Sequence, residues 1–141
     1  MANATIRLPH HTKERAVKLL LLAMSGGAIG SGARYLVNVA AARAVGTAYP
    51  WSTLTVNVVG CLLMGLVTEL VLRRYGGSSE ARVFLATGIL GGFTTFSAFA
   101  LDFVALMRGG ETVAALGYVL LSVVISITAV IAGLALGKAL L

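Results

Sequence analysis

Four long apolar stretches, separated by short polar junctions, organise this chain. Each stretch is long enough to cross a hydrocarbon core of about 30 Å at a rise of about 1.5 Å per helical residue. The pattern therefore predicts an all-α membrane protein with four transmembrane helices. We expect these helices at residues 17–44, 53–72, 83–107 and 112–140.

The junctions between the stretches carry residues typical of turns and of membrane interfaces. At the first junction Pro50 lies between Tyr49 and Trp51, and glycines occupy the other two junctions. The N-terminal residues are polar and of mixed charge. We therefore divide the chain into a tail at 1–16 and a four-helix transmembrane domain at 17–141.

Composition agrees with this division and excludes several classes of protein. Of 141 residues, 58% are hydrophobic and only 11% are charged, against roughly 25% charged in an average soluble chain. A soluble enzyme is excluded, and no phosphate-binding loop or paired nucleophile and base indicates catalysis. The single Cys61 excludes an intrachain disulfide.

The positive charge has an uneven distribution along the chain. A net charge of +6 is compatible with nucleic-acid binding, but the basic residues lie at the ends of apolar runs rather than in one patch. Their placement matches the positive-inside rule of membrane proteins better than it matches a nucleic-acid-binding surface. Four helices put both termini and the second junction on one side of the membrane. That side collects Arg7, Lys13, Arg15, Lys18, Arg73, Arg74, Arg82 and Lys138, against Arg43 and Arg108 opposite.

The chain has seventeen glycines, and most of them lie inside the apolar runs rather than in the junctions. Small residues spaced by four let helix backbones approach closely in lipid, as expected for Gly26 with Gly30 and for Gly133 with Gly137. Four short helices bury little surface for one another. We therefore expect an oligomer, most simply a dimer.

Polar residues inside the apolar runs are the candidates for function. Arg34 lies within the first run, where a cation costs about 2.5 to 3.5 kcal/mol unless it snorkels or faces water. An arginine in this position attracts anions. In the second run, Thr53 and Asn57 share a helix face and offer donors either to a ligand or to a neighbouring helix.

The fourth run carries a stripe of hydroxyl groups at spacings of four, formed by Tyr118, Ser122 and Ser126. One stripe alone is compatible with a role in helix association. Polar stripes on three different helices favour a path through the membrane.

The third run contains the most specific segment. The glycines at 91–92, followed by the threonines at 94–95, weaken the helical hydrogen bonds, so we expect a break in the middle of the membrane. Carbonyls freed by a break must be buried in protein, line a cavity or bind a cation. Phe96 and Phe99 follow on one face, either as core residues or as rings whose positive edges meet a small anion.

At these segments the sequence resembles the Fluc family of small bacterial fluoride channels. The resemblance rests on GGFTTFSAF at 91–99, PWSTLTVN at 50–57 and GSGARY at 30–35, in the family's order. It implies a passive channel that exports fluoride across the bacterial cytoplasmic membrane. It also implies an antiparallel dimer with two pores and a structural sodium ion at the dimer centre, without an organic cofactor.

The resemblance assigns roles to residues of this chain. Phe96 and Phe99 match phenylalanines that line the pores, and Asn57 matches the pore asparagine, with Thr53 on its helix face. Further along the implied pathway lie Tyr118, Ser122 and, near the entrance, Arg34, while the carbonyls of Gly91 and Thr94 match those that bind sodium.

Orientation and partners follow from the resemblance together with the charges. An antiparallel homodimer needs insertion in both directions, whereas the bias of eight basic residues against two predicts mostly insertion with the termini inside. The partner is therefore a second copy of the chain or a paralogous subunit in the opposite orientation. Fluoride and membrane lipid are the other expected partners.

The sequence departs from the family pattern at Ser52, Ala98 and Asp102, where the family commonly has Gly, Thr and Glu. Two alternatives to a fluoride channel stay open. A small dual-topology multidrug or cation exporter needs an acid in the first helix, which here carries Arg34 instead. A membrane assembly subunit without transport activity would use its polar residues only for helix association.

Overall fold

The computed structural model describes residues 10–141, with side chains from residue 12 onward. Four helices, each long and apolar enough to cross a membrane, make up this part of the chain. It contains no strand, and the predicted all-α class with four membrane helices is confirmed. The helices are α1 (His10–Val45), α2 (Trp51–Arg74), α3 (Ser79–Arg108) and α4 (Thr112–Leu140).

The helix boundaries agree with the sequence at α4 and differ at the N-terminal ends of the other three. Helix α1 begins at His10, seven residues before the expected start at residue 17. The residues in between are mostly polar and include Lys, Glu, Arg and Ala, which are strong helix formers, so α1 continues beyond its apolar part. Its 36 residues give a length of about 54 Å, against about 30 Å for the hydrocarbon core. Residues 1–9 of the predicted tail lie outside the described residues.

Local capping explains the earlier starts of α2 and α3. Helix α2 begins directly after Pro50, whose carbonyl accepts a hydrogen bond from the Leu54 N–H at 3.2 Å. The hydroxyl of Ser78 accepts a hydrogen bond from the Ala81 N–H at 3.3 Å and caps α3. Both helices therefore start two to four residues before their apolar runs.

Two tightly packed helix pairs form the bundle, α1 with the first half of α3 and α2 with α4. Glycines bring the backbones together in both pairs, as the small-residue spacing predicts. A Cβ atom on Gly26 would lie 2.6 Å from the Phe84 carbonyl oxygen, and one on Gly137 would lie 2.7 Å from the Glu69 Cβ. The bundle leaves no room for larger side chains at these positions.

Helix α3 is interrupted inside its membrane span. It passes through a π-helical stretch at Val83–Leu90 and a short α-helical turn at Gly91–Phe93. Thr94 and Thr95 are extended, with φ/ψ of −82°/160° and −155°/120°, and the helix resumes at Phe96–Arg108. The expected break is therefore present at the two threonines.

The glycines before the break have a different role from the one expected. Gly91 and Gly92 are helical rather than part of the interruption. A Cβ atom on Gly92 would lie 2.6 Å from the carbonyl oxygen of Gly27 on α1. Gly92 therefore permits close helix packing, and the extended conformation belongs to the β-branched threonines, which favour it.

Candidate anion pathway

Asn57 of α2 holds the interrupted backbone of α3. Its side-chain Nδ2 donates to the Thr95 carbonyl at 3.0 Å, and its Oδ1 accepts from the Thr95 N–H at 2.8 Å. The carboxamide thus pairs with both polar groups of one extended residue, much as a neighbouring strand would. Of the two roles that the sequence left open for Asn57, the structure contains the interhelical hydrogen bond. The second hydrogen on Nδ2 makes no hydrogen bond within the described residues.

Side chains of α1 contact the break from the other side. The Arg34 Nη1 donates to the Thr94 carbonyl at 3.4 Å, and the Ser31 hydroxyl donates to the Gly92 carbonyl at 3.5 Å. Arg34 is half-buried, so it faces the break instead of extending freely to a membrane surface. Polar side chains from two helices therefore compensate the backbone groups that the break leaves without helical partners.

The second half of α3 starts inside the membrane and is capped there. The Thr95 hydroxyl accepts a hydrogen bond from the Ala98 N–H at 3.2 Å. The first N–H groups of a helix carry a partial positive charge that favours an anion nearby. Phe96 lies at this helix start and is 79% exposed in the single chain.

A series of aromatic rings extends from this helix start. The ring centroids of Phe96 and Phe99 are 5.5 Å apart at an interplanar angle of 45°. Phe99 in turn contacts Tyr118 of α4, with centroids 5.2 Å apart. Tyr118 is fully buried. The two phenylalanines therefore share one face, as their spacing predicts, and this face continues onto α4.

We call the depression beside these rings the aromatic groove. It has a volume of about 420 Å³ and runs between the end of the break and α4. The hydroxyl oxygens of Ser122 and Ser126 are buried and make no hydrogen bond within the described residues. These hydroxyl groups and the edges of the phenylalanine rings carry partially positive hydrogens, whereas the rest of the groove lining is mostly apolar. Its lining includes Asn57, Thr95, Phe96, Phe99, Ser122 and Ser126.

A second depression, the mouth cavity, lies at the end of the bundle where α1 meets α2 and α3 meets α4. It has a volume of about 650 Å³. Thr53, one helical turn away from Asn57, lines this cavity. Asp102 also lines it and accepts a hydrogen bond from the Tyr118 hydroxyl at 3.2 Å. Its polar lining consists of Asn38, Thr47, Tyr49, Ser52, Thr53, Asp102 and Glu111.

The sequence-predicted residues thus fall into neighbouring groups. Asn57, Phe96, Phe99 and Ser122 line the aromatic groove, Thr53 lies in the mouth cavity, and Tyr118 lies between them. Arg34 and the backbone of Gly91 and Thr94 lie at the break itself. Sequence reasoning missed Tyr49, which lines the mouth cavity and packs its ring on that of Tyr118, with ring centroids 5.8 Å apart. The only sequence feature that pointed to Tyr49 was its position next to Pro50 and Trp51 in the first junction.

Four membrane helices, a break held by polar side chains and two adjoining cavities define a small multi-pass membrane protein with a candidate ion path. The chain belongs to the family described as CrcB-like protein, Camphor Resistance (CrcB), whose model matches residues 21–134. The chain is accordingly a multi-pass bacterial membrane protein.

Similar curated proteins have names that describe ion channels. The protein of Mesorhizobium japonicum named "Fluoride-specific ion channel FluC" is 53% identical over 121 residues, which cover 86% of this chain and 97% of the relative. The protein of the same name from Agrobacterium fabrum is 55% identical over 119 residues, covering 84% and 95%. The one from Rhizobium meliloti is 50% identical over 121 residues, covering 86% and 97%. The predicted resemblance is confirmed, as is the prediction of a non-enzymatic class.

Proposed function

We propose that this chain forms a fluoride-selective passive channel in the bacterial cytoplasmic membrane and lowers cytoplasmic fluoride. The observation that carries the proposal is the aromatic groove, in which ring edges lie beside buried hydroxyl groups without partners. The names of the relatives support the same ion. A site built from these groups suits a small anion that accepts strong hydrogen bonds.

The chemistry of the groove favours fluoride over chloride. Ring edges carry partial positive charge, and the hydroxyls of Ser122 and Ser126 add donors without a fixed charge that would trap the ion. Fluoride accepts short hydrogen bonds and fits between such donors. The larger chloride ion would push the rings and hydroxyls apart in a packed helical bundle, which resists such displacement.

A second subunit in antiparallel orientation would complete the pathway and give the dimer two pores. Phe96 is 79% exposed although it lies within a membrane span, and the adjoining groove is open along one side. A neighbouring subunit would cover both features. The partner is a second copy of this chain or a paralogous subunit of opposite orientation, with membrane lipid around the assembly.

A structural sodium ion fits the carbonyl groups at the break. In a continuous helix the Gly91 carbonyl would accept from the Thr95 N–H, but that group donates to Asn57 Oδ1 instead. Gly91 is exposed on the bundle surface, and the Thr94 carbonyl keeps a lone pair beyond its contact with Arg34. Carbonyl oxygens of this kind suit a hard cation, and two subunits would supply two such sets. The ion would bind between subunits and would not be transported.

The exporter alternative lacks the carboxylate it needs. Within the described residues, the acids in the apolar parts of the membrane helices have partners: Glu69 accepts from the Arg73 Nε at 3.0 Å, and Asp102 accepts from Tyr118. Neither lies on α1. Proton-coupled exchange of a cationic drug therefore has no free acid to use.

Ion efflux from liposomes tests the proposal. Purified protein reconstituted with a fluoride gradient should release fluoride passively, without a proton gradient or nucleotide, and should release chloride far more slowly. Equal chloride efflux under the same gradient would overturn the selectivity. Proton-coupled cation exchange would indicate an exporter, and the absence of any flux would indicate an assembly subunit.

A further inference from the structure

Tyr49 lies in the short loop between α1 and α2, directly before the segment that resembles the channel family. The loop holds this residue in one place. The Trp51 N–H donates to the Tyr49 carbonyl at 2.8 Å, and Pro50 between them has its φ fixed by its ring, here at −78°. The Tyr49 ring also packs on the Trp51 ring, with centroids 4.7 Å apart. The position of the Tyr49 ring is therefore determined by its own loop.

The Tyr49 ring meets Tyr118 in an edge-to-face arrangement. Their centroids are 5.8 Å apart and the interplanar angle is 86°, within the range that favours aromatic pairs. Tyr118 also contacts Phe99 and donates its hydroxyl to Asp102. Three neighbours, one from the loop and two from the second half of α3, thus fix a single fully buried ring.

Tyr118 separates the two cavities of the candidate pathway. Ser122, one helical turn further along α4, lines the aromatic groove, as does Phe99. Tyr49 and Asp102, on the other side of Tyr118, line the mouth cavity. The buried Tyr118 ring therefore packs against lining residues of both cavities.

We propose that Tyr49 is a positioning residue for the ion pathway: its ring holds Tyr118 against Phe99 in the wall between the mouth cavity and the aromatic groove. The inference rests on the proposed function and adds a residue to it. Tyr49 does this through ring packing, because its contact with Tyr118 is aromatic. Without the Tyr49 ring, Tyr118 gains space on the mouth side and leaves its place beside Phe99.

Substitutions at Tyr49 test the inference by fluoride efflux from liposomes. Tyr49→Leu removes the ring and keeps an apolar side chain, whereas Tyr49→Phe keeps the ring and removes only the hydroxyl. Loss of an aromatic pair of this geometry is expected to lower the fluoride efflux rate by about threefold to tenfold. We expect this fall in Tyr49→Leu and recovery of the wild-type rate in Tyr49→Phe. Size-exclusion chromatography and the melting temperature report folding, and Tyr49→Met replaces Tyr49→Leu if the latter does not fold.

Tyr75→Leu provides the matched control. Tyr75 is a tyrosine in the loop at the opposite end of α2, and it is 54% exposed. Both substitutions remove one loop tyrosine beside the same helix, but only Tyr49 contacts the pathway. We expect wild-type efflux from Tyr75→Leu.

A double-mutant cycle with Tyr118→Leu separates positioning from a general structural effect. If Tyr49 acts through Tyr118, the Tyr49→Leu substitution has little further effect once the Tyr118 ring is gone. Multiplicative losses in the double variant would overturn the inference, as would wild-type efflux from Tyr49→Leu. An equal loss in Tyr49→Phe would also overturn it and would make the hydroxyl a direct ion ligand. Absence of fluoride efflux from the wild-type protein would instead refute the proposed function.

Discussion

Replacing Asn57 by Ala is expected to release the interrupted backbone of α3. The substitution removes both hydrogen bonds to Thr95, at 2.8 and 3.0 Å, and leaves the Thr95 N–H unpaired within the membrane span, while the Thr95 carbonyl keeps the first hydrogen bond of the resumed helix. Interhelical hydrogen bonds in membranes contribute only about 0.6 kcal/mol on average, because the separated groups find other partners. The N–H of the extended Thr95 has no helical alternative, so the larger cost of about 1 to 3 kcal/mol for one unsatisfied group applies. We expect a loss of about 2 kcal/mol in local stability.

Hydrogen exchange at the Thr95 backbone N–H measures this loss directly. A loss of about 2 kcal/mol corresponds to roughly 30-fold faster exchange at this group. Fluoride efflux should fall in the same variant, because the break carries the helix start at Phe96. The control is Thr68→Ala on the same helix, whose hydroxyl donates only to the Met64 carbonyl within α2 at 2.7 Å. Exchange at Thr95 within threefold of wild type would show that Asn57 does not hold the break.

Three further predictions concern the phenylalanine rings, the carbonyls at the break and the orientation of the chain. Phe96→Ile and Phe99→Ile keep apolar volume but remove the ring edge, so fluoride efflux should fall while the melting temperature changes little. Wild-type efflux from a folded variant would show that the rings are only core residues. Purification without sodium should lower the stability of the dimer, and an anomalous-scattering search with a heavier monovalent cation should locate a site near Gly91 and Thr94; finding only water there would contradict it. Cysteine labelling in intact cells that express this chain alone should show mostly termini-in insertion, whereas equal labelling from both sides would indicate dual topology.

The membrane helices could be predicted from the sequence because length and hydropathy determine them. Helix α4 has the predicted limits, since Glu111 and the glycines before it end the preceding segment. The N-terminal extension of α1 could not be predicted from hydropathy, because its residues are polar. Contacts with the start of α3 are made by residues in and next to this extension. Arg15 donates to the Ser79 hydroxyl at 3.1 Å, and the Lys18 Nζ lies 3.7 Å from the Glu80 carboxylate. These partners are more than sixty residues away along the chain.

The break could be predicted, but its internal geometry could not. Adjacent glycines and threonines indicated where the helix weakens, and only the packed bundle shows that Gly92 contacts Gly27 while the threonines extend. The pairing of Asn57 with Thr95 joins residues 38 positions apart. Spacing along one helix identifies a shared face, but it does not identify what that face contacts.

The break and the polar residues around it depend on each other. A continuous α3 would satisfy its own carbonyls, and the polar groups of Ser31, Arg34 and Asn57 would then be costly without partners inside a membrane. With the break present, these groups complete the hydrogen bonding of Gly92, Thr94 and Thr95. The same arrangement places a helix start and an exposed Phe96 inside the membrane span, beside hydroxyls that have no partner in the described chain. The cost of interrupting the helix is therefore offset by side chains that also create a polar site where a small anion can replace its water.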